Sequence, residues 1–290
     1  MVLEHIFPED WLENKGRYAF LLGVGYSLIG VLIAAVIFPG DPALVAVAFT
    51  SLLILPELYK IFDVEERKEA IEQHFTLSEL YKDDIELVKI YIFLFLGILI
   101  VYAVGTMLLP DLQTNSLFRE QLEIRYGQGF SGQAVKFSGG LFWDLLKNNF
   151  MVMIACFLLA LLTGDGGIFL ITWNASVWGT IFGLTAKKAT VAAGATNPFI
   201  YFGIIMGVVF PHMITEAISY FLAAISGGLI SKDVILEQFE SHRFWEVFLF
   251  NLYLLLFAFV FLLLGAGIET WVLDNVDIYK EIIQLSFAGK

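Results

Sequence analysis

The stretch VFLFNLYLLLFAFVFLLLGAGI, Val247–Ile268, runs for 22 residues without a charged side chain. An α-helix rises about 1.5 Å per residue and needs roughly 20 apolar residues to cross the hydrocarbon core of a bilayer. The apolar residues do not alternate with polar ones, as they would in a strand of a membrane β-barrel. Four further uncharged stretches have similar lengths: Tyr18–Phe38, Ile90–Leu109, Asn148–Gly164 and Gly166–Ala186.

Two other apolar stretches are less regular: Ala43–Leu55 is short for a crossing, and Asn197–Ser231 is long for one. Because lipid offers the backbone no hydrogen-bond partners, each crossing segment must be a helix that satisfies its own peptide groups. The sequence therefore predicts an all-α fold, a polytopic transmembrane helix bundle of about seven spans. We expect a multi-pass protein of the cell membrane, with the lipid bilayer as its first partner.

The amino-acid composition also indicates a membrane protein. Hydrophobic residues make up 58% of the chain and charged residues only 16%. The net charge of −12 argues against nucleic acid as a partner. The single cysteine, Cys156, lies inside a predicted span, so no internal disulfide can form. Lysines and arginines of the predicted loops number nine on one side and eight on the other, so the positive-inside rule does not set the orientation.

Proline, glycine and charge divide the chain into segments. The turn Pro39-Gly40-Asp41-Pro42 predicts a tight hairpin, and Pro56 predicts the end of its second helix. The predicted segments are an N-terminal transmembrane hairpin (1–56), an acidic amphipathic extramembrane segment (57–89), a five-span membrane bundle (90–275) with a long loop (110–147), and a polar tail (276–290).

The stretch Asn197–Ser231 contains the residues with the most distinctive chemistry. Pro211 removes a backbone donor and predicts a broken helix, either a long bent one or one with a re-entrant first half. His212 and Glu216 are four residues apart and therefore share one helical face. A carboxylate inside a membrane is costly unless it is paired or hydrated, so this pair is a candidate functional site that must turn away from lipid.

Other polar residues lie within or at the ends of spans. Asn174 and Asn251 are predicted to join helices through hydrogen bonds. Asn149 and Glu269 are grouped with the His212–Glu216 pair as one intramembrane polar site. Of these two, we expect Asn149 to be the closer partner of the pair, because both lie near one membrane boundary.

Three interpretations of the His212–Glu216 pair remain open. The two side chains could fasten helices, could form a proton or ion site with His212 as a relay, or could bind zinc with a third ligand such as Glu269. The sequence contains no Walker loop, HExxH, GxSxG or Cys/His nucleophile pairing. We therefore expect no enzymatic activity and no cofactor, and the sequence does not decide whether a metal binds.

Small residues spaced four apart predict close contacts between helices. The pairs are Gly179/Gly183, Gly203/Gly207 and Ala223/Gly227. These contacts could lie within one chain or between the copies of a homo-oligomer.

Polar and small residues follow one another in a distinctive order between Asp84 and Thr270: Asn148-Asn149, Thr163-Gly164, Asn174 with Gly179 and Gly183, Pro211-His212 with Glu216, Gly227-Gly228, and Gly267-Ile268-Glu269. This order resembles that of the stage II sporulation protein M family. The chain departs from the family at Met213 and Ala175, where the family has glycine. The resemblance implies a membrane scaffold, since the sporulation member localises peptidoglycan-degrading partners during engulfment.

Two functions follow as hypotheses. The first is an integral membrane scaffold or assembly protein that recruits membrane or peripheral proteins. The second is a transport or permease component that uses a His212/Glu216 polar site, together with a separate ATPase. A cavity that reaches Glu216 would favour transport, and a fully packed interior around that side chain would exclude it.

Overall fold

The computed structural model describes residues 16–71, 77–127, 139–236 and 242–288, and within these ranges the fold is all-α without a strand. The helices, in chain order, are α1 (Gly16–Ile37), α2 (Pro42–Ile71), α3 (Leu77–Leu108), α4 (Asp111–Leu117), α5 (Arg119–Gly127), α6 (Gly139–Thr163), α7 (Gly167–Ala192), α8 (Pro198–Leu236), α9 (His242–Asn275) and α10 (Asp277–Ala288).

Helices α1, α2, α3, α6, α7, α8 and α9 are each long and apolar enough to cross a membrane. Each covers all or nearly all of one of the seven predicted stretches, so the predicted helical bundle is confirmed. Their outward faces are also apolar: on α9, the exposed fractions of Leu252, Leu256 and Leu264 are 47%, 59% and 54%. An exposed apolar stripe of this kind is unfavourable in water and is typical of a helix that faces lipid.

Helices α3, α7 and α8 form the centre of the bundle. Helix α1 packs against α2 and α3, α3 packs against α7, and α8 packs against α6, α7 and α9. The ring of Phe95 on α3 meets the edges of Trp178 on α7 and Phe221 on α8, with centroid distances of 5.4 and 5.7 Å. These aromatic contacts join the three central helices through one buried side chain.

Two of the three small-residue pairs permit close helix packing within the chain. Gly179 and Gly183 of α7 lie against the backbone of Leu99 and Ala103 on α3, where a Cβ atom would have no room. Gly227 of α8 lies in the same way against the backbone of α6. The prediction of close packing is confirmed for these glycines.

The third pair, Gly203 and Gly207, behaves differently. Both glycines are exposed on α8, and a Cβ atom added at either one would meet open space. Gly203 and Gly207 therefore do not pack against another described helix of this chain, and a contact between the copies of a homo-oligomer is the alternative that remains for this pair.

Pro56 was predicted to end a helix and Pro211 to bend or break one, and both helices continue through their proline. Helix α8 runs without interruption for 39 residues, so of the two predicted forms the single long helix is observed, whereas a break at Pro211 with a re-entrant first half is not. Helix α2 likewise continues through Pro56, where we predicted its end. A proline removes one backbone donor, whereas a break would leave several unpaired peptide groups on each side. Because apolar surroundings cannot satisfy those groups, the continuous helix costs less.

Helices also extend through the segments that were predicted to lie between spans. The acidic segment 57–89 holds the end of α2 and the start of α3, and its residues 72–76 lie outside the described part. The long loop 110–147 holds α4, α5 and the first turns of α6, with residues 128–138 outside the described part.

The C-terminal segment, predicted as a polar tail, forms helix α10. Its buried residues Ile282 and Ser286 are four apart and lie on one helical face. The helix packs against α7 and α8. It is therefore an amphipathic helix that belongs to the bundle, and its charged residues account for the polar composition of the segment.

Candidate functional site

The side chains of His212 and Glu216 on α8 are both buried, with exposed fractions of 7% and 3%. Because they are four residues apart on a continuous helix, they lie on one face. Between them, the hydroxyl of Thr215 donates to the carbonyl oxygens of Pro211 and His212 at 2.9 and 2.8 Å. The hydroxyl is therefore satisfied within the helix and does not compete for the two larger side chains.

Glu216 is the centre of the polar cluster. Its side chain hydrogen-bonds to Asn149 of α6 and to Glu269 of α9. Helix α9 comes this close because it has a glycine at the contact: a Cβ atom at Gly265 would lie 2.5 Å from Cγ of Glu216. We expected Asn149 to be the closer partner, but the structure brings both residues to Glu216, since α6 and α9 both pack against α8.

The contact between Glu216 and Glu269 requires a proton. An ionised carboxylate only accepts hydrogen bonds, whereas a protonated carboxyl group can donate one. A hydrogen bond between the two side chains therefore needs a proton on one of them. The pair can hold a proton between α8 and α9, inside an apolar bundle.

Two atoms of the cluster lack partners. Oε1 of Glu216 and Nδ1 of His212 are buried, and neither has a hydrogen-bond partner among the described residues. A buried polar atom without a partner costs free energy, so such atoms are rare in folded proteins and call for an explanation. Both residues line the same cavity, where a bound molecule could supply the missing hydrogen bonds.

The cavity has a volume of about 490 Å³ and lies among α6, α7 and α8. Most of its wall is apolar, with the aromatic side chains of Trp173, Trp178 and Phe182 on α7. Its described lining contains no lysine or arginine. The polar part of the lining consists of Asn148, Asn149, Asn174, Thr185, His212, Glu216 and Glu269.

The zinc interpretation lacks a ligand set. Within the part of the chain that the structure describes, no group of three or more His, Cys, Asp or Glu side chains is arranged to hold a metal ion. A structural zinc site uses four protein ligands and a catalytic one uses three. His212, Glu216 and Glu269 line one cavity but do not form such a group.

The residues that build this site fall in a region with a family match. The model of the family described as stage II sporulation protein M matches residues 90–272, which is well over half of the chain. The chain belongs to the stage II sporulation protein M family. No curated protein and no solved structure was found to match it. Family membership and the seven apolar helices together identify a membrane protein.

The family region contains Asn149, His212, Glu216 and Glu269, whereas α1, α2 and α10 lie outside it. One wall of the cavity is thus formed from outside the family region, because Tyr279, Ile283 and Phe287 of α10 also line it. Sequence reasoning missed these three residues. Their spacing of four is the signal that predicts one face of an amphipathic helix, and it could have identified them.

Helix α5 contributes Ile124 to the cavity from the loop segment, and sequence reasoning missed this residue as well. Two contacts hold the helix in place. Arg119 pairs with Asp41 of the α1–α2 turn at 3.3 Å, and Nε2 of Gln121 donates to Oγ of Ser176 on α7 at 3.3 Å. The segment predicted as a loop therefore contributes to the site.

The two asparagines predicted as structural have different positions. Asn174 lines the cavity, and its Nδ2 donates to the carbonyl oxygen of Leu170 at 2.8 Å within α7. Asn251 is buried on α9 and is absent from the cavity lining. Its backbone carbonyl oxygen accepts a hydrogen bond of 2.7 Å from Oγ of Ser226, which joins α9 to α8. Asn174 is thus part of the candidate site, and Asn251 is not.

Proposed function

We propose that this protein is a multi-pass protein of the cell membrane that binds a small molecule in the cavity and moves it across the bilayer. One observation carries the proposal: a cavity of about 490 Å³ reaches Glu216, with unpartnered atoms of Glu216 and His212 among the described residues. Small-molecule sites typically have volumes of about 300–1,000 Å³ with mostly apolar walls and a few polar groups. The cavity fits that description.

The position of the cavity supports transport over a purely structural role. Side chains that only fasten helices would be expected to satisfy one another, since a half-satisfied polar network is less stable than an apolar core. Here Glu216 hydrogen-bonds to Glu269 and so fastens α8 to α9, yet its buried Oε1 has no partner among the described residues and the residue lines the cavity. Intramembrane acidic residues that face a cavity commonly belong to substrate or proton pathways.

The source of energy follows from the chemistry of the chain. The sequence has no nucleotide-binding motif, so the chain does not drive transport by hydrolysing ATP itself. The shared proton of Glu216 and Glu269 supports coupling to a proton gradient, in which proton release and substrate entry alternate. The alternative energy source is a separate ATPase subunit.

A cysteine-accessibility experiment tests the proposal. Cys156 is the only native cysteine, so a Cys156→Ala background carries a single introduced thiol. With Asn174→Cys in the cavity, we expect a membrane-impermeant methanethiosulfonate reagent to react from both faces in right-side-out and inside-out vesicles. A carrier exposes its site to each side in turn, and a static scaffold exposes it to one side at most.

The neighbouring position provides the matched control. Ala175 is fully buried on the same helix and does not line the cavity, so Ala175→Cys should not react from either face. Labelling of Asn174→Cys from only one face, or from neither, would count against transport. Equal labelling of both cysteines would indicate a disrupted bundle, and the experiment would then be repeated at Thr185, which also lines the cavity.

A membrane scaffold or assembly role is the second candidate, and family membership favours it. In that case the polar cluster would stabilise the bundle, and surfaces such as α4 and α5 would recruit membrane or peripheral proteins. The exposed glycines Gly203 and Gly207 offer a surface for a homo-oligomer. Capture of the same partner by the wild-type protein and by a variant with a filled cavity, such as Ala155→Phe, would support the scaffold role.

A further inference from the structure

The charge of the cavity restricts what can bind there. The hydrogen bond between Glu216 and Glu269 needs at least one proton, and with one shared proton the pair carries one net negative charge. No lysine or arginine of the described lining compensates that charge. A buried, uncompensated charge is costly in an apolar interior, so a bound cation would be stabilised and an anion would be repelled.

The unpartnered atoms indicate where a charged head group would sit. Oε1 of Glu216 is a hydrogen-bond acceptor, and a neutral imidazole can present Nδ1 of His212 as a second acceptor one helical turn away. Both side chains are more than nine-tenths buried and line the cavity. An ammonium group has three donors and no acceptor, so it supplies the kind of partner that both atoms lack.

The rest of the cavity suits an apolar body. Trp173, Trp178 and Phe182 of α7 line the cavity, and Tyr279 and Phe287 of α10 line the same space. Aromatic rings bind apolar groups, and their faces also attract cations within about 6 Å of the ring centroid. A hydrated inorganic cation would gain nothing from these rings, and the described residues offer no cluster of three acidic or imidazole ligands to dehydrate it.

We propose that the ligand of this cavity is an organic cation with a hydrogen-bond-donating ammonium head at Glu216 and His212 and a compact apolar body against the α7 and α10 rings. The inference rests on the proposed function for the choice of cavity. Binding can nevertheless be measured on the purified protein without any transport.

Three probes with one phenyl body and different head groups test the proposal. 2-Phenylethylamine is a cation at neutral pH, 2-phenylethanol is neutral, and 3-phenylpropanoate is an anion. Titrated into the full chain in detergent and followed by calorimetry or tryptophan fluorescence, the amine should bind at least about tenfold more tightly than the alcohol, which corresponds to about 1.4 kcal/mol. The anion should bind more weakly than either.

The head-group preference should depend on the two acidic residues. In the double variant Glu216→Gln and Glu269→Gln, amide groups of similar shape remove the charge. We expect the amine to lose its tenfold advantage while the affinity for the alcohol stays within about threefold, which also reports that the cavity is intact. Glu86→Gln is the matched control, since Glu86 is exposed on α3 and does not line the cavity. If the double variant does not fold, Glu216→Gln alone is compared by the same ratio of affinities.

Several outcomes would overturn the proposal: equal affinities for the three probes, tighter binding of the anion, no binding of the amine at millimolar concentration, or an unchanged preference in the double variant. These outcomes differ from a failure of the proposed function. Amine binding together with one-sided labelling of Asn174→Cys would support the ligand class and contradict transport. Two-sided labelling of Asn174→Cys without amine binding would support transport and contradict the ligand class.

Discussion

Gly265→Ala is the substitution that most directly tests how α9 positions the polar cluster. Its Cβ atom would lie 2.5 Å from Cγ of Glu216 and 3.2 Å from Oγ1 of Thr215. Carbon atoms in contact are normally about 3.5–4.0 Å apart, so α9 or the Glu216 side chain would have to move by about 1 Å. Such a movement is large enough to break the hydrogen bonds of Glu216 with Asn149 and Glu269.

The expected magnitude follows from two opposing effects. Overpacking a well-packed site costs about 1–3 kcal/mol, and one lost hydrogen bond between buried groups costs about a further 1 kcal/mol. Replacing glycine by alanine in a helix stabilises the helix by about 0.8–1 kcal/mol. We therefore expect Gly265→Ala to lower the free energy of unfolding by about 1–3 kcal/mol.

Gly267→Ala is the control, since Gly267 lies two residues further along α9 and a Cβ atom there would meet open space. It should be neutral or stabilising by up to about 1 kcal/mol. Thermal unfolding in one detergent, followed by circular dichroism, compares the two variants at the same protein concentration. If Gly265→Ala is as stable as Gly267→Ala, the close approach of α9 to Glu216 is wrong.

Three further predictions test other contacts. Gly179→Ala should lower the free energy of unfolding by about 1–3 kcal/mol, because its Cβ atom would meet the α3 backbone. Gly203→Ala should be neutral or slightly stabilising, because its Cβ atom would meet open space. Equal thermal stabilities of the two variants would contradict the close packing of α7 on α3. Glu216→Gln keeps a donor for Glu269, whereas Glu216→Leu leaves the partners of Glu216 unpaired, which costs about 1–3 kcal/mol. Glu216→Gln should therefore lower the free energy of unfolding less than Glu216→Leu does. Chemical unfolding of both variants gives the order of their stabilities, and the reverse order would refute the prediction. Truncation after Asn275 removes α10 from the cavity wall, so thiol labelling of Asn174→Cys should be several-fold faster, and an unchanged rate would show that α10 does not restrict access.

The spans could be predicted because lipid imposes one dominant constraint on the backbone. A long uncharged run such as Val247–Ile268 has few stable structures other than a helix that crosses a membrane. The same constraint also acts at Pro56 and Pro211, where the sequence predicts the end or break of a helix. The end of a helix can be solvated in water, which favours a stop at proline there. Within an apolar bundle the helix continues, because one missing donor costs less than two helix ends.

The residues of the site could be predicted better than their contacts. Glu216, His212, Asn149 and Glu269 were selected by polarity alone, since each is unusual within or beside an apolar stretch. The contacts among these four residues depend on which helices are neighbours in the bundle. The order of the helices along the chain does not determine which helices are neighbours. Helix α8 packs against α6, α7 and α9 together, so a choice between Asn149 and Glu269 was unnecessary.

The cavity wall is built partly by helices of the family region and partly by α10, so the two parts could select different features of a ligand. The acidic pair and His212 lie within residues 90–272, while Tyr279, Ile283 and Phe287 come from α10, beyond the matched region. A head group at Glu216 would therefore be recognised by elements of the family region. The length and shape of the apolar body would be limited by α10. Truncation of α10 should accordingly change the size of ligand that binds while leaving the preference for a cationic head unchanged, since Glu216 is positioned by hydrogen bonds to Asn149 of α6 and Glu269 of α9.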